Sequence, residues 1–178
     1  MDTRMILYGL KDYYANAEDT GKVIMTSALA AAAADMVGGS IPALAVPATI
    51  VACFGAVWVM YGELCKVLGI QLKANVLKLL ARAAIANIAA NLGSALIGLV
   101  VGMFVPGASV AASAVVTFIT VYMAGYVFLQ MILKMAEKSS DVHSFSDISE
   151  AEMRREVKDA KITKDDMAAA KAAFDANR

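Results

Sequence analysis

Only a few residues in this sequence are of types that could do chemistry, and their spacing matches no catalytic or metal-binding pattern. His143 is the single histidine and has no evident partner, so we expect it to face solvent. Cys53 and Cys65 lie on one predicted helix, about 18 Å apart, which is too far for a disulfide. The sequence contains no GxxxxGK[ST] loop, HExxH or CxxC motif. We therefore predict no enzyme activity, no cofactor and no metal site.

The composition is too apolar for an ordinary soluble domain. Hydrophobic types make up 60% of the 178 residues, whereas about 45–50% is typical even with glycine counted. The 16 basic and 16 acidic side chains cancel, which argues against nucleic acid as a partner. The length is that of one domain.

The charged residues are strongly segregated along the chain. Residues 83–133 carry no charge at all, and a run of this length suits two bilayer spans of about 20 residues each. Pro106-Gly107 breaks the run near its centre, because proline cannot continue a helix and glycine accepts a turn. The pattern predicts helices at about 83–104 and 108–134.

An earlier apolar run divides in the same way. Residues 23–37 favour a helix, residues 38–42 break it, and residues 43–64 form a second apolar helix with Pro47 in its first turn. Asp35 is the one charge between Lys22 and Glu63. We expect it at the interfacial tip of the hairpin rather than as a functional carboxylate inside the membrane.

The two apolar runs correspond to each other at an offset of 64 residues. Ile41-Pro42 aligns with Val105-Pro106, and Phe54 with Phe118. We interpret this as a pseudo-repeat of helical hairpins, although alanine- and valine-rich composition could produce part of it by chance. The predicted fold class is thus all-α, an integral membrane protein of two hairpins, four hydrophobic helices in all, with a cytoplasmic helical tail.

Loop charges predict the orientation of this protein. The loop between the hairpins has a net charge of +3 within residues 63–82, and short basic loops stay cytoplasmic. The basic residues expected to touch anionic headgroups are Lys66, Lys73, Lys78 and Arg82. The hairpin tips are predicted at Gly38, Gly39, Pro42, Pro106 and Gly107.

These features divide the chain into three parts. Residues 1–21 form an amphipathic N-terminal helix, residues 22–136 the membrane domain, and residues 137–178 the tail, with hairpins at about 22–66 and 74–134. We expect both termini to face the cytoplasm. Uncharged tips are equally compatible with hairpins that dip into the bilayer without crossing it.

Small and polar residues form stripes on the two helices of the second hairpin. The stripes comprise Asn87, Asn91, Ser94, Gly98 and Gly102 on one helix and Ser109, Ser113, Thr117 and Thr120 on the next. Folding the hairpin at Pro106 would bring Gly98 opposite Ser113, Ser94 near Thr117 and Asn91 near Thr120. Such stripes either close the hairpin through small-residue packing and hydrogen bonds or line a pore.

The tail has the start signals of two short helices. Ser149 with Glu152, and Thr163 with Asp166, resemble capping boxes. The apolar residues predicted to form a partner-binding face are Met153, Val157, Met167 and Phe174. Helices this short need support, so they pair with each other, dock on the membrane domain or bind another chain.

The membrane part resembles the YcjF-like hydrophobic domain of unknown function over residues 22–136. The similar stretches are residues 30–33 leading to Ile41-Pro42, residues 59–61, 67–72 and 105–109, and residues 120–125. The resemblance implies a module of the bacterial inner (cytoplasmic) membrane that is linked to a small GTPase, and no catalytic residues. This chain lacks the acidic residue usual after the first proline turn, and Ser109 stands where glycine is usual.

Together these patterns favour a non-enzymatic membrane scaffold or anchor that self-associates and presents a cytoplasmic tail to a protein partner, by resemblance a GTPase. The alternative is an oligomeric pore lined by the small and polar stripes. A soluble helical bundle that buries both apolar runs is a third hypothesis.

Overall fold

Long α-helices make up most of the chain that the computed structural model describes, which is residues 17–38, 45–102, 108–139, 145 and 147–177. At residues 17, 38, 45–52, 92–102 and 108–112 the structure describes the backbone alone. Six helices and no strand lie within these ranges: α1 Ala17–Gly38, α2 Ala45–Val67, α3 Ala74–Gly102, α4 Ala108–Lys138, α5 Glu150–Asp159 and α6 Lys164–Ala176. The predicted all-α class is confirmed for the described residues.

The boundaries of α2 have clear local causes. Pro47 lies in the first turn, where a missing backbone N–H costs nothing. At the other end Gly69 takes a left-handed φ of 66°. Its N–H donates to the Lys66 carbonyl, and the Ile70 N–H donates to the Cys65 carbonyl. This Schellman arrangement stops the helix and turns the buried Ile70 back towards the core.

Helices α1 to α4 correspond to the four predicted apolar segments, but α1 and α3 begin several residues before the apolar runs. The helices are longer than predicted because an uncharged run marks only the apolar part of a helix, whereas the helix itself continues into the neighbouring charged residues. Residues 17–21 therefore belong to α1, and the rest of the predicted N-terminal helix lies outside the described residues.

Helix α4 is the centre of the packing. Phe118, Phe128 and Met131 are buried along it, and among the described residues α1 packs on α4 more extensively than any other two helices pack on each other. Tyr61 of α2 stacks on Phe128 with ring centroids 4.2 Å apart, and its hydroxyl donates to the Ala124 carbonyl at 2.9 Å. The remaining helices are thus arranged around α4.

The alternating directions of α1 to α4 bring their charged ends together. Ile24 of α1 meets Gly125, while Asp35, eleven residues later, meets Ser113, so α1 runs antiparallel to α4. Within the four helices, the charged residues at this shared end are Glu18, Asp19, Lys22, Glu63, Lys66, Lys78, Arg82, Lys134, Glu137 and Lys138. Asp35 alone lies towards the opposite, uncharged end.

One helical segment with described side chains, Ser113–Lys138, is long and apolar enough to cross a bilayer. Within this segment, 61% of the apolar window is buried inside the bundle, as it also is in the core helix of a soluble protein. Four membrane-crossing helices stay a prediction.

The contact between α1 and α4 at Gly125 provides a test of this packing. A Cβ atom at Gly125 would lie 2.6 Å from Ile24 Cγ1, so Gly125→Ala should lower the free energy of unfolding by about 1–3 kcal/mol through overpacking. Gly62→Ala is the matched control, because none of the described atoms outside its own helix backbone would come within 4 Å of the new Cβ. The control should gain up to about 1 kcal/mol from helix propensity. Unfolding in detergent measures both, and a Gly125→Ala protein as stable as the control would contradict the packing.

Candidate functional site

A buried carboxylate connects α1 to α4 towards the uncharged end of the bundle. Asp35 is 1% exposed. The hydroxyls of Ser113 and Thr117 both donate to its Oδ2 atom, Thr117 at 3.0 Å, and Cys53 of α2 lies beside Thr117. Three helices therefore meet at one polar cluster in an otherwise apolar core.

Asp35 lies in the last turn of α1, close to the predicted tip, but its side chain is buried in the bundle rather than exposed at an interface. Ile24, Ala28, Ala31 and Asp35 follow each other at spacings of four and three and are all buried. This spacing places Asp35 on the face of α1 that packs against the rest of the bundle. The helical register was visible in the sequence, but the nearby glycines suggested a tip.

The polar stripe of α4 has a partner on α1 that the sequence did not predict. Ser113, Thr117 and Thr120 are buried on α4, and the hydroxyls of Ser113 and Thr117 donate to Asp35 of α1. A carboxylate is a stronger acceptor than an amide or a hydroxyl. The side chains of Ser94, Gly98, Gly102 and Ser109 lie outside the described residues, so their pairing with the α4 stripe stays a prediction.

The α3 part of the predicted stripe binds the tail instead. The Asn87 side-chain amide donates to the carbonyls of Val157 and Ala160, at 2.9 and 3.0 Å. These carbonyls lie at the C-terminal end of α5, where helical partners are missing. Asn91 is exposed and donates to Asn87, so it adds to this contact rather than meeting Thr120.

Ion pairs hold α5 beside the charged end of α4. Lys134 and Lys138 contact Glu156 at 2.9 Å each, and Lys138 also contacts Glu152 at 3.1 Å. The hydrogen bonds from Lys138 and Lys134 hold the pKa of Glu156 below its ordinary value. In α6, the hydroxyl and backbone N–H of Thr163 likewise lower the pKa of Asp166, which confirms the predicted capping box.

The predicted partner face of the tail is covered by the chain itself. Met153, Val157 and Phe174 are buried, Met167 packs against the same core, and the Phe174 ring lies 5.1 Å from that of Phe118. Of the three arrangements that the sequence left open, the structure has the tail docked on α3 and α4. In this conformation Met153, Val157 and Phe174 are not accessible to a partner, and Met167 is partly covered.

The basic residues of the central loop lie at the charged end, where contact with headgroups was predicted. Lys78 Nζ is 4.5 Å from the centre of the Trp58 ring, and the Arg82 guanidinium is 5.5 Å from that of Phe54. Lys66 pairs with Glu63 at 2.7 Å, and Lys73 is exposed. Contact with lipid stays a prediction.

Several predicted positions fall outside the described residues. They are the tips Gly39, Pro42, Pro106 and Gly107, together with His143; Gly38 is the last residue of α1. Cys53 and Cys65 are buried and unbridged, as predicted. Among the described residues no group of three His, Cys, Asp or Glu side chains is placed to hold a metal ion.

Comparison with protein families, curated proteins and solved structures finds no match for this chain.

The Asp35 cluster predicts an unusual order of mutational effects. Ser113→Ala with Thr117→Val removes two donors from a buried carboxylate and should cost about 3–5 kcal/mol of unfolding free energy. Asp35→Asn keeps an acceptor and removes the buried charge, so it should cost about 1 kcal/mol. Chemical unfolding in detergent ranks the variants. Adding Asp35→Asn to the double variant should restore part of the loss, and a further loss would contradict this account of the cluster.

The lowered pKa of Glu156 predicts that the tail loosens in acid. A carboxylate whose pKa is lower in the folded state stabilises the fold above its ordinary pKa of about 4.3, and this contribution is lost as pH falls through the lowered value. Amide exchange of α5, corrected for intrinsic rates, should therefore show less protection at acid pH than near neutral pH. Glu156→Gln should weaken protection near neutral pH and reduce the change with pH. The same pH dependence in both proteins would exclude Glu156 as the cause.

Proposed function

We propose that this protein is a non-enzymatic membrane anchor and scaffold, with the uncharged half of its helices in lipid. The charged end and the tail then face the cytoplasm at the inner membrane of a bacterium. The observation that carries this proposal is the arrangement of four antiparallel helices with their charges at one end.

The lengths of the uncharged stretches suit a bilayer. From the last charged residue to the opposite end, α2, α3 and α4 span residues 45–62, 83–102 and 108–133. At 1.5 Å per residue these stretches are about 27, 30 and 39 Å long, against a hydrocarbon core of about 30 Å. In α1 the corresponding residues 23–38 carry only Asp35, whose carboxylate is buried and hydrogen-bonded.

Large apolar side chains on the outside of the bundle also favour a lipid environment. Val37 is 77% and Val59 is 60% exposed, and Met36, Tyr126 and Leu133 are exposed too. Such residues are costless in lipid, and small residues on the same helices suit association between copies. A homo-oligomer is therefore part of the proposal. A GTPase as cytoplasmic partner is included on the family resemblance alone.

The pore alternative has less support. The α4 side of the predicted lining, Ser113 and Thr117, is buried against Asp35, and Asn87 holds α5. Within one copy, these polar groups are used for packing between helices.

Charge substitution on the outside of α1 tests the membrane proposal. Ala33→Asp places a charge on an exposed surface near the uncharged end of the bundle, where insertion into lipid should cost up to about 2.5–3.5 kcal/mol. Gln71→Asp is the matched control, because Gln71 is exposed at the charged end. We expect Ala33→Asp to reduce the fraction of protein that stays with membranes after alkaline carbonate extraction.

Gln71→Asp should behave as the parent does. In a bundle surrounded by water both substitutions are neutral, so release of the parent protein into the supernatant, or equal retention of the two variants, would contradict the proposal.

A further inference from the structure

Helix α6 covers α4 within its uncharged stretch. Phe174 packs on Phe118, and Phe118 stacks on Tyr122 with ring centroids 5.6 Å apart. Phe118 is ten residues from the start of α4 at Ala108, or about 15 Å along the helix. The contact thus lies well inside the part of α4 that suits lipid.

The outer surface of α6 is unsuited to hydrocarbon. Its charged residues are Lys164, Asp165, Asp166, Lys171 and Asp175. Lys171 and Asp175 form an ion pair at 2.6 Å, with side chains that are 59% and 52% exposed. Taking such groups into hydrocarbon is costly. While α6 is docked, the part of α4 free to enter lipid is therefore about 15 Å long, which is close to the depth of one leaflet.

The attachment of α6 is separable from that of α5. Helix α5 is held by the ion pairs of Lys134 and Lys138 and by Asn87. Helix α6 packs on α4 through an apolar face that includes the buried Ala170 and Phe174. Described residues of α5 and α6 make few contacts with each other, so α6 can leave α4 while α5 stays in place.

We propose that the α4 surface beneath α6, centred on Phe118 and Tyr122, is a latent lipid-contacting surface, and that α6 is a lid over it. With the lid docked, the hairpins dip into one leaflet. With the lid released, lipid chains replace Phe174 on this surface and α4 crosses the bilayer. This inference rests on the proposed membrane function and adds the element that sets the depth of insertion.

The test compares two aspartate substitutions on α6. Phe174→Asp removes the aromatic anchor and should shift the lid equilibrium towards release by about a hundredfold or more. Ala172→Asp adds the same charge on the exposed side of α6 and should leave the lid docked. Ala170→Glu, at a second buried lid position, is an independent way of releasing it. Amide exchange of α6 in reconstituted vesicles measures release directly.

Insertion depth is read from one cysteine at the start of α4. Ala108→Cys is introduced together with Cys53→Ala and Cys65→Ala, and an impermeant maleimide is applied to either side of the vesicles. In Phe174→Asp and Ala170→Glu we expect the maleimide to label the introduced cysteine from the side opposite the tail. In Ala172→Asp and in the parent we expect this cysteine to be protected from the maleimide on both sides.

Each remaining outcome counts against the lid. If Ala172→Asp and Phe174→Asp were labelled equally from the side opposite the tail, α6 would not set the depth of insertion. The same conclusion would follow if both variants were protected from labelling although α6 exchanges its amides faster in Phe174→Asp. Unchanged α6 exchange in both Phe174→Asp and Ala170→Glu would show that these contacts do not hold it. Failure of the membrane proposal is distinct, because the parent protein would then not remain with the vesicles.

Discussion

The antiparallel packing of α1, α2, α3 and α4 brings residues that are far apart along the chain to the same end of the bundle. Each helix has charged residues towards one end, and alternation of direction collects these ends on one side of the bundle. Because ionic groups need water or partners while long apolar stretches do not, this arrangement creates two ends with different solvent requirements. The position of the tail, the exposure of Val59 and the role of Asp35 all depend on it.

The Asp35 cluster is the exception that this arrangement permits. A carboxylate in the uncharged half is tolerated because two hydroxyls from α4 donate to it. The same bonds fix the register between α1 and α4, since a shift of one turn would separate the carboxylate from Ser113. Polar groups in an apolar core cost stability when their partners are lost, and for this reason they favour a single packing arrangement over its alternatives.

Much of the fold could be predicted from local patterns. The uncharged runs, Pro47 and the caps at Ser149 and Thr163 place the helices. Which faces meet could not be predicted, because it depends on which of several neighbours each helix chooses. Asn87 shows the difficulty, since its spacing with Asn91 suited a contact with α4 while its true partners are carbonyls of α5.

The predicted pseudo-repeat shows the same difference between pattern and packing. Phe54 and Phe118 align at the 64-residue offset, yet Phe54 lies beneath Arg82 and Phe118 beneath Phe174. Equivalent spacing predicts equivalent helices, whereas the tail follows only the second hairpin and covers only that one. The neighbours of each residue, and with them its role, differ accordingly.

The turn at Gly69 has a mechanical consequence for the whole molecule. The chain leaves α2 through two backbone hydrogen bonds, buries Ile70, and enters α3 at Ala74. This connection is short and is held by hydrogen bonds, so it provides no hinge. The hydrogen bond from the Tyr61 hydroxyl separately joins the first hairpin to the second. Under the proposed membrane function, the two hairpins therefore enter or leave lipid together, as one unit of four helices.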